Sequence, residues 1–147
     1  HVRSRRQRQM CIRDRAQLIH PPDMSLEEAV RRQWMVMFSP KFLETQPDFL
    51  DLLTQRALCH PAPPHTSLRH LMAMQRFNTY GRLGMITTPT LVITGADDVI
   101  VPPANSLLLA ARIYGASLEI LTNAGHGFFW EVPGEVVALL HKFCHAI

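Results

Sequence analysis

The chain has 147 residues, 47% hydrophobic and 18% charged, the balance of one ordinary globular unit rather than of a disordered tail. No uninterrupted apolar run exceeds five residues, as in 34–38 and 136–140, so a membrane-spanning helix of about 20 apolar residues is excluded. The net charge of +3 does not point to nucleic acid either, because six arginines and Asp14 fall within residues 1–15 and residues 16–147 carry nine basic against eleven acidic side chains, a net of −2.

The basic stretch RRQRQMCIRDR, residues 5–15, coincides with one reading frame of a transposase adaptor used in DNA library preparation, which translates as R-R-Q-R-Q-M-C-I-R-D. Residues 1–15 are therefore expected to be foreign to the protein and are set aside from fold reasoning. The competing reading is a basic arm for phosphate backbones. With Cys11 in that stretch, only Cys59 and Cys144 remain, both in helical patterns and expected as buried free thiols.

Past this stretch the chain reads as helices joined by proline-rich turns. Ser25 and Glu28 form the S-x-x-E of a capping box, and Leu26, Val30, Trp34 and Met37 recur at helical spacing, which predicts a helix over 25–38. Pro47 suits a first helical turn, with Phe49, Leu50, Leu53 and Ala57 in a stripe that the proline-rich segment from His60 ends. Thr66 is placed to cap a third helix through Leu68, Leu71 and Met72 toward Phe77. No strand is predicted in this half.

The pattern changes at Pro89. The run PTLVITG predicts a short buried strand of a parallel sheet, with Val92 and Ile93 expecting apolar cover on both faces. PPANSLLLAARIYG predicts a helix with Leu107, Ala110, Ala111 and Tyr114 on its apolar face and Gly115 as its stop. ASLEIL predicts a second strand, and PGEVVALLHKFCHA a last helix with Val136, Leu140 and Phe143 inward. Strand, helix, strand, helix at this spacing is a βαβα unit. Two strands are too few for a stable sheet, so the unit calls for neighbours.

Functional residues of open parallel sheets gather where loops leave the carboxyl ends of the strands. One such loop, GADDVIVPP, carries Asp97 and Asp98; the other, NAGHGFFWEVPGE, carries His126. Parallel neighbours deliver both loops to one edge, where a carboxylate can fix the tautomer of an imidazole and stabilise its protonated form. Composition alone does not choose between the two aspartates.

Residues from about 64 to 147 resemble the C-terminal part of an α/β-hydrolase. Members of that family show P-T-L-V-I-x-G-x-x-D-x-x-V-P and then G-H-x-x-x-x-E-x-P, which stand here as PTLVITGADDVIVP and GHGFFWEVP. The resemblance implies that Asp98 is the acid of a catalytic triad and His126 the general base. It selects Asp98 because that residue stands three positions after Gly95 and four before Pro102. It also implies that residues 16–62 belong to a helical cap over the substrate and residues 63–147 to the C-terminal part of the core. The fold class expected is thus α/β, two parallel strands with helices, preceded by a helical cap segment.

The family's nucleophile elbow, G-x-S-x-G, matches none of the six serines, and no oxyanion-hole loop is present. The expectation is a truncated enzyme, inactive by itself, whose whole form would have roughly 250 residues or more. The implied activity is cleavage of an ester, lactone or similar acyl bond in a small-molecule substrate by serine attack, in the cytoplasm, without metal or organic cofactor and without a nucleic-acid or membrane partner. Dehalogenases, cofactor-free haloperoxidases and C–C bond hydrolases share both motifs, and some members bind ligands or partners without turnover. These alternatives stay open at the level of sequence.

Plainer roles compete for the same residues. Glycines around His126 suit a tight turn, Asp97 and Asp98 suit helix capping, and Glu131 and Glu135 suit the first turn of the last helix. Glu131 is also an alternative acid. Phe128, Phe129 and Trp130 fit either a pocket wall or core packing. His141 and His145, four apart near a helix C-terminus, are expected as solvated imidazoles rather than metal ligands. His60, His65 and His70 have no acidic or thiolate companion at ligand spacing and are assigned no role.

Overall fold

The structure is a computed structural model that describes residues 23–61, 66, 69, 70, 72–74 and 77–146. The stretch 1–15 with Cys11, the histidine His65, and Leu68 and Leu71 of the expected third helix lie outside the described residues.

The capping box forms as predicted and starts α1 (Leu26–Met37): Glu28 N–H donates to Ser25 Oγ, and Ser25 N–H donates back to the Glu28 carboxylate at 3.0 Å. A second cap went unread in the sequence. Ser39 Oγ accepts from Phe42 N–H, and Pro40 sits in the first turn of α2 (Pro40–Thr45), where a missing N–H costs nothing. α3 (Pro47–Cys59) ends within a residue of the predicted stop.

α1 and α3 pack together. At their contact the Trp34 indole N–H donates to Thr54 Oγ1 at 2.9 Å, and that hydroxyl donates to Leu50 O at 2.8 Å, so a buried threonine is satisfied twice. Arg31 spans the rim to Glu27 and Asp51 at 3.0 and 2.8 Å; exposed pairs of this kind add little stability. Phe38 closes the helical end of the core, its ring 4.9 Å from that of Phe42 and 6.0 Å from that of Trp130.

Positions 66, 69, 70 and 72–74 are helical, while Phe77 lies beyond the helix and is exposed. A 3₁₀ turn over Tyr80–Met85, unpredicted, follows. β1 (Leu91–Gly95) and β2 (Ser117–Leu121) then pair in parallel, in register from Leu91↔Ser117 to Gly95↔Leu121. Between them α4 (Pro103–Arg112) packs on both strands, and Gly115 turns the chain into β2 at φ +71°, a region that costs glycine nothing. After β2 come a one-turn α5 (Phe128–Glu131) and α6 (Pro133–Ala146). The βαβα reading and the α/β class hold.

The predicted faces fared less well. α4 buries Ser106, whereas Leu107 is exposed and Tyr114 falls past the helix end, 91% exposed. The segment LLLAA is apolar all round, so composition does not say which side meets the sheet. α6 turns Val136, Leu139 and Phe143 partly inward and leaves Leu140 exposed. Val92 is buried but Ile93 only partly, and Ile120 of β2 is 42% exposed. Cys59 and Cys144, expected as buried, are both exposed free thiols, the first at the last position of α3 and the second on the outer side of α6.

Candidate active site

The site grows out of the way β1 ends. Backbone pairing continues past the strands: Ala96 N–H donates to Leu121 O at 2.8 Å, and Asp97 N–H to Ala124 O at 2.9 Å. This zips together the two loops that leave the sheet's C-terminal edge. The approach is so close that a Cβ on Gly95 would lie 2.2 Å from Ala124 O and 2.3 Å from Gly125 O, so only glycine fits. On the β2 side, Asn123 takes a left-handed turn at φ +53°, which asparagine tolerates better than most residues. Ala124 behind it is fully buried.

The turn after Gly95 sends Asp97 to solvent and Asp98 inward, where it is 6% exposed. Its Oδ1 accepts from Ile100 N–H at 2.9 Å and Val101 N–H at 2.7 Å. Oδ2 lies 2.9 Å from His126 Nδ1. A carboxylate can only accept, so Nδ1 carries the proton and Nε2 is the nitrogen left to act as a base. The hydrogen bond that His126 Nδ1–H donates to Asp98 holds the imidazole pKa above its ordinary value; burial opposes this and the charge of Asp98 adds to it. The structure thus brings Asp98 and His126 together and turns Asp97 away.

The glycines flanking His126 have a reason beyond the turn. A Cβ on Gly125 would meet backbone atoms of Phe38 and Ser39 at 2.9 Å, and one on Gly127 would enter the Phe38 ring at 2.5 Å. Gly127 N–H donates to Met37 O at 2.8 Å. The junction between α1 and α2 therefore lies directly on the His126 loop.

Glu131 departs from its predicted place in the first turn of the last helix. It ends α5 instead, and its two carboxylate oxygens accept from Gly125 N–H at 2.8 Å and Ser39 N–H at 2.9 Å. The glutamate in the motif was visible in the sequence; nothing there showed its partner 92 residues earlier. Glu135 does sit in the first turn of α6. The rings of Phe129 and Trp130 meet at a 47° tilt with centroids 4.6 Å apart and stay 47% and 43% exposed, so neither is filled core.

His141 and His145 stack at 4.0 Å, with His145 Nδ1 bonded to His141 O. Among the described residues no group of three or more His, Cys, Asp or Glu is arranged to hold a metal ion. No described helix is long and apolar enough to cross a membrane.

Comparison with known proteins agrees with this architecture. Residues 22–133 match the profile of the serine aminopeptidase S33 family. RutD of Stutzerimonas stutzeri strain A1501, named as a carbamate hydrolase, is 30% identical over 116 residues, which are 79% of this chain and 43% of that protein. A 2-hydroxy-6-oxononadienedioate/2-hydroxy-6-oxononatrienedioate hydrolase of Cupriavidus pinatubonensis is 48% identical over 58 residues, 39% of this chain and 20% of its own length. Among solved structures, Est816, described as an N-acyl homoserine lactone degrading enzyme, superposes with a TM-score of 0.67 at 26% identity, covering 84% of this chain and 52% of its own. The chain spans about half the length of these relatives or less. It belongs to the serine aminopeptidase S33 family of α/β-hydrolases.

Proposed function

We propose that this chain supplies the acid and the base of a Ser-His-Asp triad to a hydrolase of ester, lactone or similar acyl bonds, and that the serine lies on a stretch outside these 147 residues. The observation that carries the reading is the Asp98–His126 contact, formed by two loops at the carboxyl edge of adjacent parallel strands. Asp98 is nearly buried and fixed through its other oxygen by two backbone N–H groups, so it presents one oxygen in a set direction. It orients the Nδ1–H tautomer and steadies the imidazolium that forms when Nε2 takes the serine proton. His126 stays part-exposed on its loop, which leaves Nε2 open to an incoming nucleophile. On this reading the α1–α3 segment is part of a cap beside the site. The lactone and carbamate substrates named for the relatives are both carbonyl compounds, which supports acyl chemistry.

Two experiments test the proposal. The coding sequence upstream of residue 16 should contain a G-x-S-x-G elbow, and the extended protein should hydrolyse short nitrophenyl esters or lactones and lose that activity on His126→Ala. An aspartate at the elbow, or an elbow without a nucleophile, would overturn the acyl reading. The 147-residue chain alone should hydrolyse such esters no faster than its His126→Ala variant, because a base without a nucleophile or oxyanion donors gives only weak assistance. Turnover that depends on His126 in this chain would place the nucleophile within it.

A further inference from the structure

The contacts of Glu131 exceed what a helix terminus needs. Its side chain sits on α5, four residues after Gly127, yet its two oxygens serve two separate segments: the Gly125 amide on the His126 loop, and the Ser39 amide at the head of α2. Beside these, Gly127 N–H donates to Met37 O at 2.8 Å. His126 is thus bracketed by two amides, those of residues 125 and 127, each tied to the 37–39 junction, one directly and one through the carboxylate. Ser39 and Gly125 are buried, so neither amide has water to replace the carboxylate, and charge-assisted bonds there are roughly twice as strong as neutral ones. Phe38 fills the space between, ringed by Trp34, Phe42 and Trp130.

We infer that Glu131 is a positioning residue for His126, a two-armed clamp that locks the loop carrying the imidazole to the α1–α2 junction and so makes the aim of the base depend on the seating of the helical segment. The inference rests on the reading of His126 as the base. It does not require Glu131 to touch substrate. Its consequence is directional: loosening the helical segment at Ser39 slackens the loop at Gly125, and the imidazole drifts from Asp98. Helix seating and base alignment are then one event rather than two.

The test uses the whole chain and follows exchange of the His126 imidazole C2 hydrogen across pH by mass spectrometry, which reads the titration midpoint at low protein concentration. In the parent chain that midpoint lies above the ordinary histidine value because of Asp98. Glu131→Gln replaces one acceptor by a donor that faces an amide donor, so the midpoint should fall toward the ordinary value. Amide exchange in peptides covering Ser39 and Gly125 should quicken by roughly tenfold or more. Glu135→Gln, which removes a like charge from the neighbouring helix, should change neither.

Should the glutamine variant fail to fold, Glu131→Asp tests the clamp with its charge kept: a carboxylate shorter by one methylene does not span the Gly125 and Ser39 amides that Glu131 holds at 2.8 and 2.9 Å, and the midpoint should again fall. Faster amide exchange with an unmoved His126 midpoint would make Glu131 a structural clamp only and refute the inference. Asp98→Asn is the separate control. If it leaves the midpoint in place, the acid–base pairing itself is wrong, whatever Glu131 does.

Discussion

Gly95→Ala should separate Asp98 from His126. A Cβ at this position would lie 2.2 Å from Ala124 O, 2.3 Å from Gly125 O and 2.6 Å from the Ala124 carbonyl carbon, all backbone atoms that cannot rotate away. A real Cβ essentially never comes within 3.0 Å of such an atom, so the two loops must part by about 1 Å. The same gap is spanned by the Asp97 N–H to Ala124 O bond and by the Asp98–His126 contact, each 2.9 Å. A 1 Å opening takes both to about 3.9 Å, beyond hydrogen-bonding range. Overpacking costs about 1–3 kcal/mol, and the lost bonds add about 0.5–1.5 for the neutral one and a screened share of about 1.5–3 for the half-exposed charged one. A total of roughly 2–6 kcal/mol approaches the whole stability of a small unit. Urea unfolding followed by the fluorescence of Trp34 and Trp130 measures it. Gly134→Ala is the matched control, because nothing lies within 4 Å of a Cβ there; in the first turn of α6 it should cost nothing or gain up to about 1 kcal/mol. A Gly95→Ala loss below about 1 kcal/mol would show that the loops are not held at this distance.

The other predictions concern the pair and the helical segment. In a protein that includes the nucleophile, Asp98→Asn should lower turnover by about 10⁴, while Asp97→Asn, at a solvent-facing position, should cost far less; equal losses would undo the choice between them. On the proposed reading the neutral imidazole is the base, and its pKa is raised, so the rising limb of the pH–rate profile should sit above 6.5 and move down in Asp98→Asn; a limb that moves up would contradict the pairing. The same shift has a stability sign. Relative to His126→Ala, the parent chain should gain stability in urea as pH falls from about 8 to 6, an advantage complete below the unfolded pKa and lost as pH rises through the folded one. Thr54→Val keeps the shape of a buried side chain but leaves the Trp34 N–H without its acceptor, at a cost of about 1–3 kcal/mol in the same unfolding experiment; a neutral result would mean that water reaches the indole.

Local physics explains what the sequence disclosed. The capping box needs only residues three apart, a buried strand announces itself by a β-branched run, and proline and glycine mark where α3 and α4 begin or end, so these elements fell within a few residues of expectation. That an aspartate of the 97–98 pair meets His126 was legible for a different reason, since parallel strands place successive loops on one edge whatever their sequence separation; the choice of Asp98 came from the family motif. Elements whose cue is weak escaped. α2 and α5 have six and four residues, too short to show periodicity, and the inward faces of α4 and α6 are undefined where apolar residues run all the way round.

The role of Glu131 shows the limit most clearly. On sequence alone it is an acid beside a proline at the start of a helix, and the dipole argument that put it there is sound for Glu135, which occupies such a turn. What moves Glu131 elsewhere is a demand made by other residues. The Gly125 and Ser39 amides are buried at a seam between two segments and need an acceptor, and a one-turn helix after Gly127 brings one carboxylate within 2.9 Å of both. Hydrogen-bond satisfaction at depth outweighs a surface helix-dipole gain of about 0.3–1 kcal/mol, because a buried unpaired donor costs about 1–3 kcal/mol. The flanking glycines follow from the same seam: without side chains at 125 and 127 the α1–α2 junction can approach closely enough for the carboxylate to span it. His126 is thus placed from two sides, by Asp98 through its ring and by the seam through its backbone, and only the first of these is foreshadowed in the sequence, by strand order for the edge and by the family motif for the choice of Asp98.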